Sequence, residues 1–417
     1  MYLEKIDRLR RSKLAGSYLS LSSVTALNVL FPLVLIPYLI HVLGIQGYGT
    51  LAFYQYLSQF VLVLLDFGFP LYAVPEVARR GQDVRALSCF VFQVYTIKIG
   101  LFGFVAFSVA IVLLLGKTGV VASVSPELTL GFFFVTTLNS FAPTWLFQGL
   151  ERNSETVLPT LVARIVTLLA TFAIIRKPSD LAAAPIPYMV GALVLLFVLG
   201  WRTRKTVFIS NAWSLENIRT TFNESAQVFW SRLAVVGYVT ISPILVSAAA
   251  GSVGVAVYNV CEKVIGVARV PFDTFSVAAY ARFSRTYGKS EARKFAKILL
   301  GFAAVAVAII WSVTPFAGKF MPVPGLLTVP FYLSVFSIAL LPIAVHGFLG
   351  TCVLLPNGRR IELGKSVIVG LLCYLCTTAC FWHLVDDRIL LAIISMVMVE
   401  FGVLAARIFF SIKQKLI

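Results

Sequence analysis

The chain has 417 residues, 59% hydrophobic and only 13% charged, with 35 Lys and Arg against 18 Asp and Glu for a formal net charge of +17. Soluble globular domains carry about 25% charged residues and fewer apolar ones, so the composition excludes an ordinary soluble protein. What remains is a polytopic membrane protein, and the lengths of the apolar runs decide how it is built.

A helix needs roughly 20 mostly apolar residues to cross the hydrocarbon core. In chain order, twelve runs are read as spans: 15–40, 50–74, 88–115, 127–149, 157–175, 183–201, 225–249, 254–280, 298–317, 330–355, 366–383 and 389–410. None alternates apolar and polar residues in strands of about ten, as a transmembrane barrel would. The first run is too long for the core of a cleaved signal peptide and lacks a small-residue cleavage pattern, so it is expected to stay as the first span. The predicted fold is all-α, with about 12 transmembrane helices in two six-helix lobes around a central cavity.

The basic balance invites a nucleic-acid reading, but the placement of the charges opposes it. With a cytoplasmic N-terminus, the inner segments hold 25 Lys and Arg. The outer loops hold only Lys117, Arg176, Lys177, Lys319 and Arg388. That asymmetry is the positive-inside rule; it predicts cytoplasmic N- and C-termini and no nucleic-acid partner.

The basic inner segment 202–224 divides the chain into a lobe of residues 1–201 and a lobe of residues 225–417. The two halves share a plan. "LGIQGYG" after the first span and "AGSVGVAVY" after the seventh place Gly44 and Gly47 opposite Gly251 and Gly254, in short outer turns. The same offset of 207 residues carries Asp66 onto Asp273, Gln55 onto Glu262, and the inner turn "GLERNSE" (149–155) onto "PNGRRIE" (356–362). Both halves start inside, so this is a parallel repeat with its axis along the membrane normal. Internal repeats of this kind are common in transporters.

Charges within spans cost about 2.5–3.5 kcal/mol each on insertion scales and usually face a lumen or each other. The candidates are Asp66, Lys98, Arg164, Arg232, Glu262, Lys263, Arg269, Asp273 and Glu400. Residues three and four apart share a helix face. Gln55, Gln59 and Asp66 therefore form one polar stripe, and Asn259, Glu262, Arg269 and Asp273 its counterpart. Arg269 and Asp273 stand at a pairing distance. Lys98, Arg164 and Arg232 lie roughly 10–15 Å into their spans. Snorkelling to the interface is the alternative for Arg164 and Arg232. Apart from the presumed acid–base pairs the deep charge leans cationic, which suits an anionic passenger such as a pyrophosphate head group.

Other patterns carry less. Cys373, Cys376 and Cys380 share a helix face with His383 one turn on, yet small polarizable packing explains them better than a metal does. His41 and His346 have no ligand partners nearby in sequence and receive no role. "GRRIELGKS" (358–366) has five residues between its glycines where a P-loop has four, and no strand precedes it. "GYG" (47–49) lacks the Thr-Val and pore helix of a potassium filter. Asp66-Phe67-Gly68 lacks the remaining parts of a kinase. A membrane glycosyltransferase or polymerase would need a substantial outer loop, and the longest here is about a dozen residues; no enzyme is expected.

Two stretches carry a resemblance to a known family. "IPYLIHVLGIQGYGTLAFYQYLSQFVLVLLDFGFPLYAVPEVARR" (36–80) and "APTWLFQGLERNSETVLPTLVAR" (142–164) resemble bacterial polysaccharide repeat-unit flippases, the O-antigen (Wzx-type) translocases of the multidrug/oligosaccharidyl-lipid/polysaccharide exporter superfamily. In the second half the likeness is mainly topological, with "LPNGRRIE" at the expected turn. The resemblance implies alternating access in the bacterial inner (cytoplasmic) membrane. Its passenger would be an undecaprenyl-pyrophosphate-linked oligosaccharide. A polysaccharide polymerase and a chain-length regulator are the implied partners, and H+ or Na+ the coupling ion, with no other cofactor. On depth and helix face, Lys98, Arg164, Arg232, Lys263 and Arg269 are expected to attract the pyrophosphate. Asp66, Glu262 and Asp273 are expected to couple an ion or gate, and Gln55, Gln59 and Asn259 to line the polar stripe. The rival is a cation-coupled multidrug antiporter of the same superfamily, whose lumen would be acidic.

Overall fold

A computed structural model describes residues 2–117, 125–208, 214–283, 287–320 and 326–417, with side chains described from residue 31 onward apart from positions 117, 231, 281, 317–320 and 360. The described chain is helical throughout, with no strand. Its helices are α1 (Tyr2–Asp66), α2 (Phe69–Arg80), α3 (Val84–Lys117), α4 (Pro126–Phe141), α5 (Thr144–Gly149), α6 (Ser154–Ile174), α7 (Pro185–Arg204), α8 (Leu215–Phe283), α9 (Lys289–Phe320), α10 (Val329–Ser337), α11 (Leu340–Phe348), α12 (Arg360–Phe381) and α13 (Arg388–Lys413). A 3₁₀ turn (Pro178–Ala183) precedes α7, and a π-helical stretch (Leu349–Leu354) follows α11.

Among the described residues, ten helical segments are long and apolar enough to cross a membrane, and two of them, Phe31–Arg80 and Arg232–Tyr280, run to 50 and 49 residues. Each of those two has the length of two crossings at about 20 residues apiece. The reason lies at the predicted outer turns. Neither is a loop: helical conformation runs up to Gly44 and resumes after it, with that residue alone leaving the helical region at φ 71°, ψ 168°. Gly251 does the same in α8 at φ 62°, ψ −163°. A side chain disfavours positive φ, so one glycine is enough to join two helices where a longer turn was expected.

These two breaks stand 207 residues apart, the offset read from the sequence. A second pair of positive-φ residues repeats it, with Glu151 at φ 58° and Gly358 at φ 73°. The repeat is thus written into the backbone as well as into residue types. It also leaves one half with a strained residue where the other has glycine. Glu151→Gly is expected to stabilise the protein by about 1 kcal/mol, read as a higher thermal midpoint in detergent, whereas Gly358→Ala should lower it. A fall in the midpoint of Glu151→Gly would show that the side chain's contacts outweigh the strain.

The chain packs as two units. The first comprises residues 1–31, 41–44 and 54–236, and the second 32–40, 45–53 and 237–417. The segment 202–224 contributes the end of α7 and the start of α8, while residues 209–213 lie outside the described ones. In the first unit α4 and α6 pack on α7, and α2 packs on α5; in the second α12 packs on α13, and α9 on α10 and α11. The first unit's core gathers Phe67, Phe69, Val77, Phe90, Trp145 and Phe229. Outward-facing positions keep large apolar side chains exposed, including Phe104, Phe107, Leu169 and Phe197, as lipid contact requires.

Candidate functional site

The polar residues at membrane depth fall into separate clusters, one set in each unit. In the first unit α1 ends at Asp66. Phe67 follows at φ 44° and Gly68 at φ 80°, and α2 begins at Phe69. This break sits on the beginning of α8. Phe67 stacks on Phe222 and Phe229, its carbonyl accepts from the Ser225 hydroxyl at 2.5 Å, and a Cβ on Gly68 would stand 2.8 Å from the Ser225 carbonyl oxygen. The triplet Asp66-Phe67-Gly68 is therefore a helix terminus: Phe67 anchors it, Gly68 permits the close approach, and Asp66 turns back toward α3.

There Asp66 meets Lys98. The Lys98 Nζ lies 2.9 Å from Asp66 Oδ1 and also donates to the Ser140 carbonyl at 2.5 Å and to Ser140 Oγ at 3.0 Å. Ser140 Oγ in turn donates to Asp66 Oδ1 at 2.8 Å. The lysine is 0% exposed and the aspartate 21%. An ammonium can be kept in such a place only when paired and hydrogen-bonded, and both conditions are met. Lys98, expected as an attractor of anions, thus spends its charge on Asp66. Ser140 is invisible to sequence reading, because nothing in a lone serine of an apolar helix marks it as the third member of an ion pair.

Arg164 of α6 is half-buried, with its guanidinium 5.2 Å from the centre of the Phe31 ring and within Coulombic reach of Tyr188. Tyr188 is hydrogen-bonded to Gln55, so that stripe residue has a partner in its own unit. Gln59 and Arg232 are exposed.

In the second unit, Glu262 pairs with its neighbour Lys263 at 3.3 Å, and Arg269 Nε donates to Asp273 Oδ2 at 2.9 Å. The predicted i,i+4 pair is present, with both members nearly half exposed at 42% and 44%. Asn259 is buried and accepts from the Tyr48 hydroxyl at 2.5 Å, so it serves the packing of this unit. The residues that sequence reasoning misses are His346 and Arg407. His346 Nε2 is 2.6 Å from Glu400 Oε2, and Arg407 reaches back to the same histidine. By position alone Arg407 counts as one more inner C-terminal charge. The signal available is that Glu400 and Arg407 lie seven residues apart, on one face of an otherwise apolar helix.

Apart from exposed Arg232, the arrangement is one of buried and half-buried charges held by named partners. Cys376 and Cys380 are exposed, and all six cysteines are free.

Comparison with known proteins finds one family and several transporters to which the chain is similar. The family described as "Polysaccharide biosynthesis protein" matches residues 14–287. A Shigella dysenteriae protein named "Putative O-antigen transporter" is 25% identical over 362 residues, covering 84% of this chain and 88% of the relative. An Escherichia coli (strain K12) protein of the same name is 26% identical over 275 residues, covering 64% of each. Among solved structures, an inward-facing multidrug resistance MATE family transporter of the MOP superfamily aligns over 96% of this chain and 94% of that one, with a TM-score of 0.70 and 14% identity. A MOP superfamily transporter from Pyrococcus furiosus, described by its binding pocket of reverse polarity, aligns over 97% and 96% with a TM-score of 0.65 and 16% identity. The fold is therefore that of the MOP transporters.

Proposed function

This chain belongs to the polysaccharide biosynthesis protein family, and on that footing we propose that it flips lipid-linked oligosaccharide repeat units, anchored through undecaprenyl pyrophosphate, across the bacterial inner membrane. It does so by alternating access, without ATP, driven by an H+ or Na+ gradient. Its two long helices each cross twice, for twelve crossings with both termini cytoplasmic. Residues 1–201 and 225–417 supply six crossings each, joined through 202–224.

The observation that carries this reading is the sign of the deep charge. Lys98, Arg164, Arg232, Lys263 and Arg269, joined by Arg407, which the structure sets beside Glu400 and His346, stand against Asp66, Glu262, Asp273 and Glu400, a surplus of two positive charges among these residues. Intramembrane charge is costly, and a passenger bearing pyrophosphate supplies the missing negative charge. Arg164, Arg232, Lys263 and Arg269 attract it. Glu262 and Asp273 hold the second unit's cations until it arrives, and the Asp66–Lys98 pair positions the end of α1. Outward movement of an anion is further favoured by an inside-negative potential, at about 2.3 kcal/mol per charge per 100 mV. A multidrug antiporter would instead be expected to present acidic surplus to a cationic drug.

Deletion of the gene, followed by analysis of lipid-linked sugars, tests the reading. Single undecaprenyl-linked repeat units should accumulate on the inner leaflet, and surface polysaccharide should be lost. Normal lipid-linked sugars together with raised drug sensitivity would hand the function to the antiporter reading.

A further inference from the structure

The cluster around His346 is built from residues other than those assigned above to the anion, and its hydrogen bonds select one protonation state. His346, on α11, is 6% exposed. Its Nε2 lies 2.6 Å from Glu400 Oε2 of α13. From two turns further along α13, Arg407 Nη1 donates to the His346 carbonyl at 2.6 Å and sits 3.3 Å from His346 Nδ1. The Arg407 Nε donates to Ser366 Oγ of α12 at 3.2 Å. The guanidinium is admitted because residue 350 is glycine: a Cβ there would stand 2.5 Å from Arg407 Nη1. Residues Leu349–Leu354, which carry that glycine, are wound as a π-helix, a feature frequent at functional sites.

A guanidinium has five donors and no acceptor. Nδ1 can receive it only when bare, so this contact selects the neutral tautomer with its proton on Nε2, donated to the Glu400 carboxylate. The surrounding charges agree with this. Arg269 and Asp273 of α8 face the cluster as a pair, and Asp273 Oδ1 is 3.8 Å from where a Cβ on Gly347 would be. Tyr238, also of α8, lies within Coulombic reach of Glu400, Arg269 and Arg407. Two arginines and two carboxylates balance around a neutral imidazole. One proton added to the imidazole leaves the cluster a charge in excess, and with Nε2 already protonated it enters at the nitrogen that Arg407 occupies.

We infer that His346 is a proton-binding site at which a proton and the Arg407 guanidinium compete for Nδ1. Protonation expels Arg407 from the imidazole and leaves the imidazolium on Glu400; deprotonation draws the guanidinium back and reseats α13 on α11 and α12. The site ties proton uptake to the release of a half-buried arginine. Under the flippase reading above, on which only this last consequence rests, the freed cation adds to the charge that holds an anionic head group.

The chain has three histidines, His41, His346 and His383, so histidine-labelled full-length protein in lipid nanodiscs has three imidazoles to resolve by nitrogen NMR. His41→Gln and His383→Gln, both exposed positions, remove the other two signals and assign the third without touching the cluster. At the alkaline end of the roughly pH 5–8 range in which histidine titrates, His346 should read as bare at Nδ1 and protonated at Nε2. On acidification Nδ1 should gain a proton, and the Arg407 side-chain nitrogens should shift with the same midpoint. An Nδ1–H tautomer at the alkaline end, an imidazole that never titrates, or an Arg407 signal that stays still while His346 titrates would overturn the inference. None of these readouts uses a sugar lipid, so the gene-deletion result can fail while this site stands, and the reverse.

Discussion

Asp66→Asn is expected to be among the most damaging single changes in the first unit, costing about 3–5 kcal/mol. The substitution removes the negative charge and leaves the Lys98 ammonium, which is fully buried, with only Ser140 for company. Lys98→Met should cost less. It takes away the charge that has no exit, and the aspartate it abandons is still 21% exposed. The double variant should recover much of what Asp66→Asn loses, because a buried pair exchanged for apolar groups of similar volume is often close to neutral. Thermal midpoints of the purified variants in detergent read this directly. A stable Asp66→Asn protein, or a double variant no better than that single one, would show that the pair does not hold the end of α1 against α3 and α4. The same ordering bears on function: activity lost in Asp66→Asn should track the amount of folded protein, whereas activity lost at an exposed cation such as Arg232 should not.

The second large effect is expected at Gly49. A Cβ built there falls 1.7 Å from the carbonyl oxygen of Ser252. The obstacle is backbone, which cannot rotate aside, so even alanine must push apart the segments around Gly49 and Ser252 in the second unit. Those segments are fastened on both sides of the glycine, by the Tyr48 hydroxyl on Asn259 at 2.5 Å and by Thr50 Oγ1 against Ser252 Oγ at 2.9 Å. Overpacking a tight site costs about 1–3 kcal/mol and occasionally more; Gly49→Ala should fall at the upper end, about 3 kcal/mol, and Gly49→Leu beyond it. Gly103 of α3 is the control, since it is exposed and a Cβ there meets nothing within 4 Å. Gly103→Ala should be neutral or slightly stabilising through helix propensity. Equal midpoints for Gly49→Ala and Gly103→Ala would contradict the close approach.

The internal repeat shows where sequence reading succeeds and where it slips. The offset of 207 residues is legible because glycine and turn residues answer to backbone demands that are local, and the positive-φ pairs 44/251 and 151/358 confirm it. The form of the connection at Gly44 is not legible. A tight turn and a one-residue break both call for glycine near the end of an apolar run, and their difference lies in ψ.

Composition, run length and charge asymmetry by themselves determined that this is an all-helical membrane protein, because a bilayer admits few ways to satisfy a backbone and penalises charge at depth. They also singled out most of the charged residues that matter, and spacing along one helix was enough to pair Arg269 with Asp273. Tertiary structure alone decided the rest. It joined Asp66 to Lys98 and Ser140, which are 32 and 74 residues away, and brought Arg407 to His346 across 61 residues. Such partners are chosen by which helices pack together, and a helix's own sequence records the face it presents but not the neighbour that covers it.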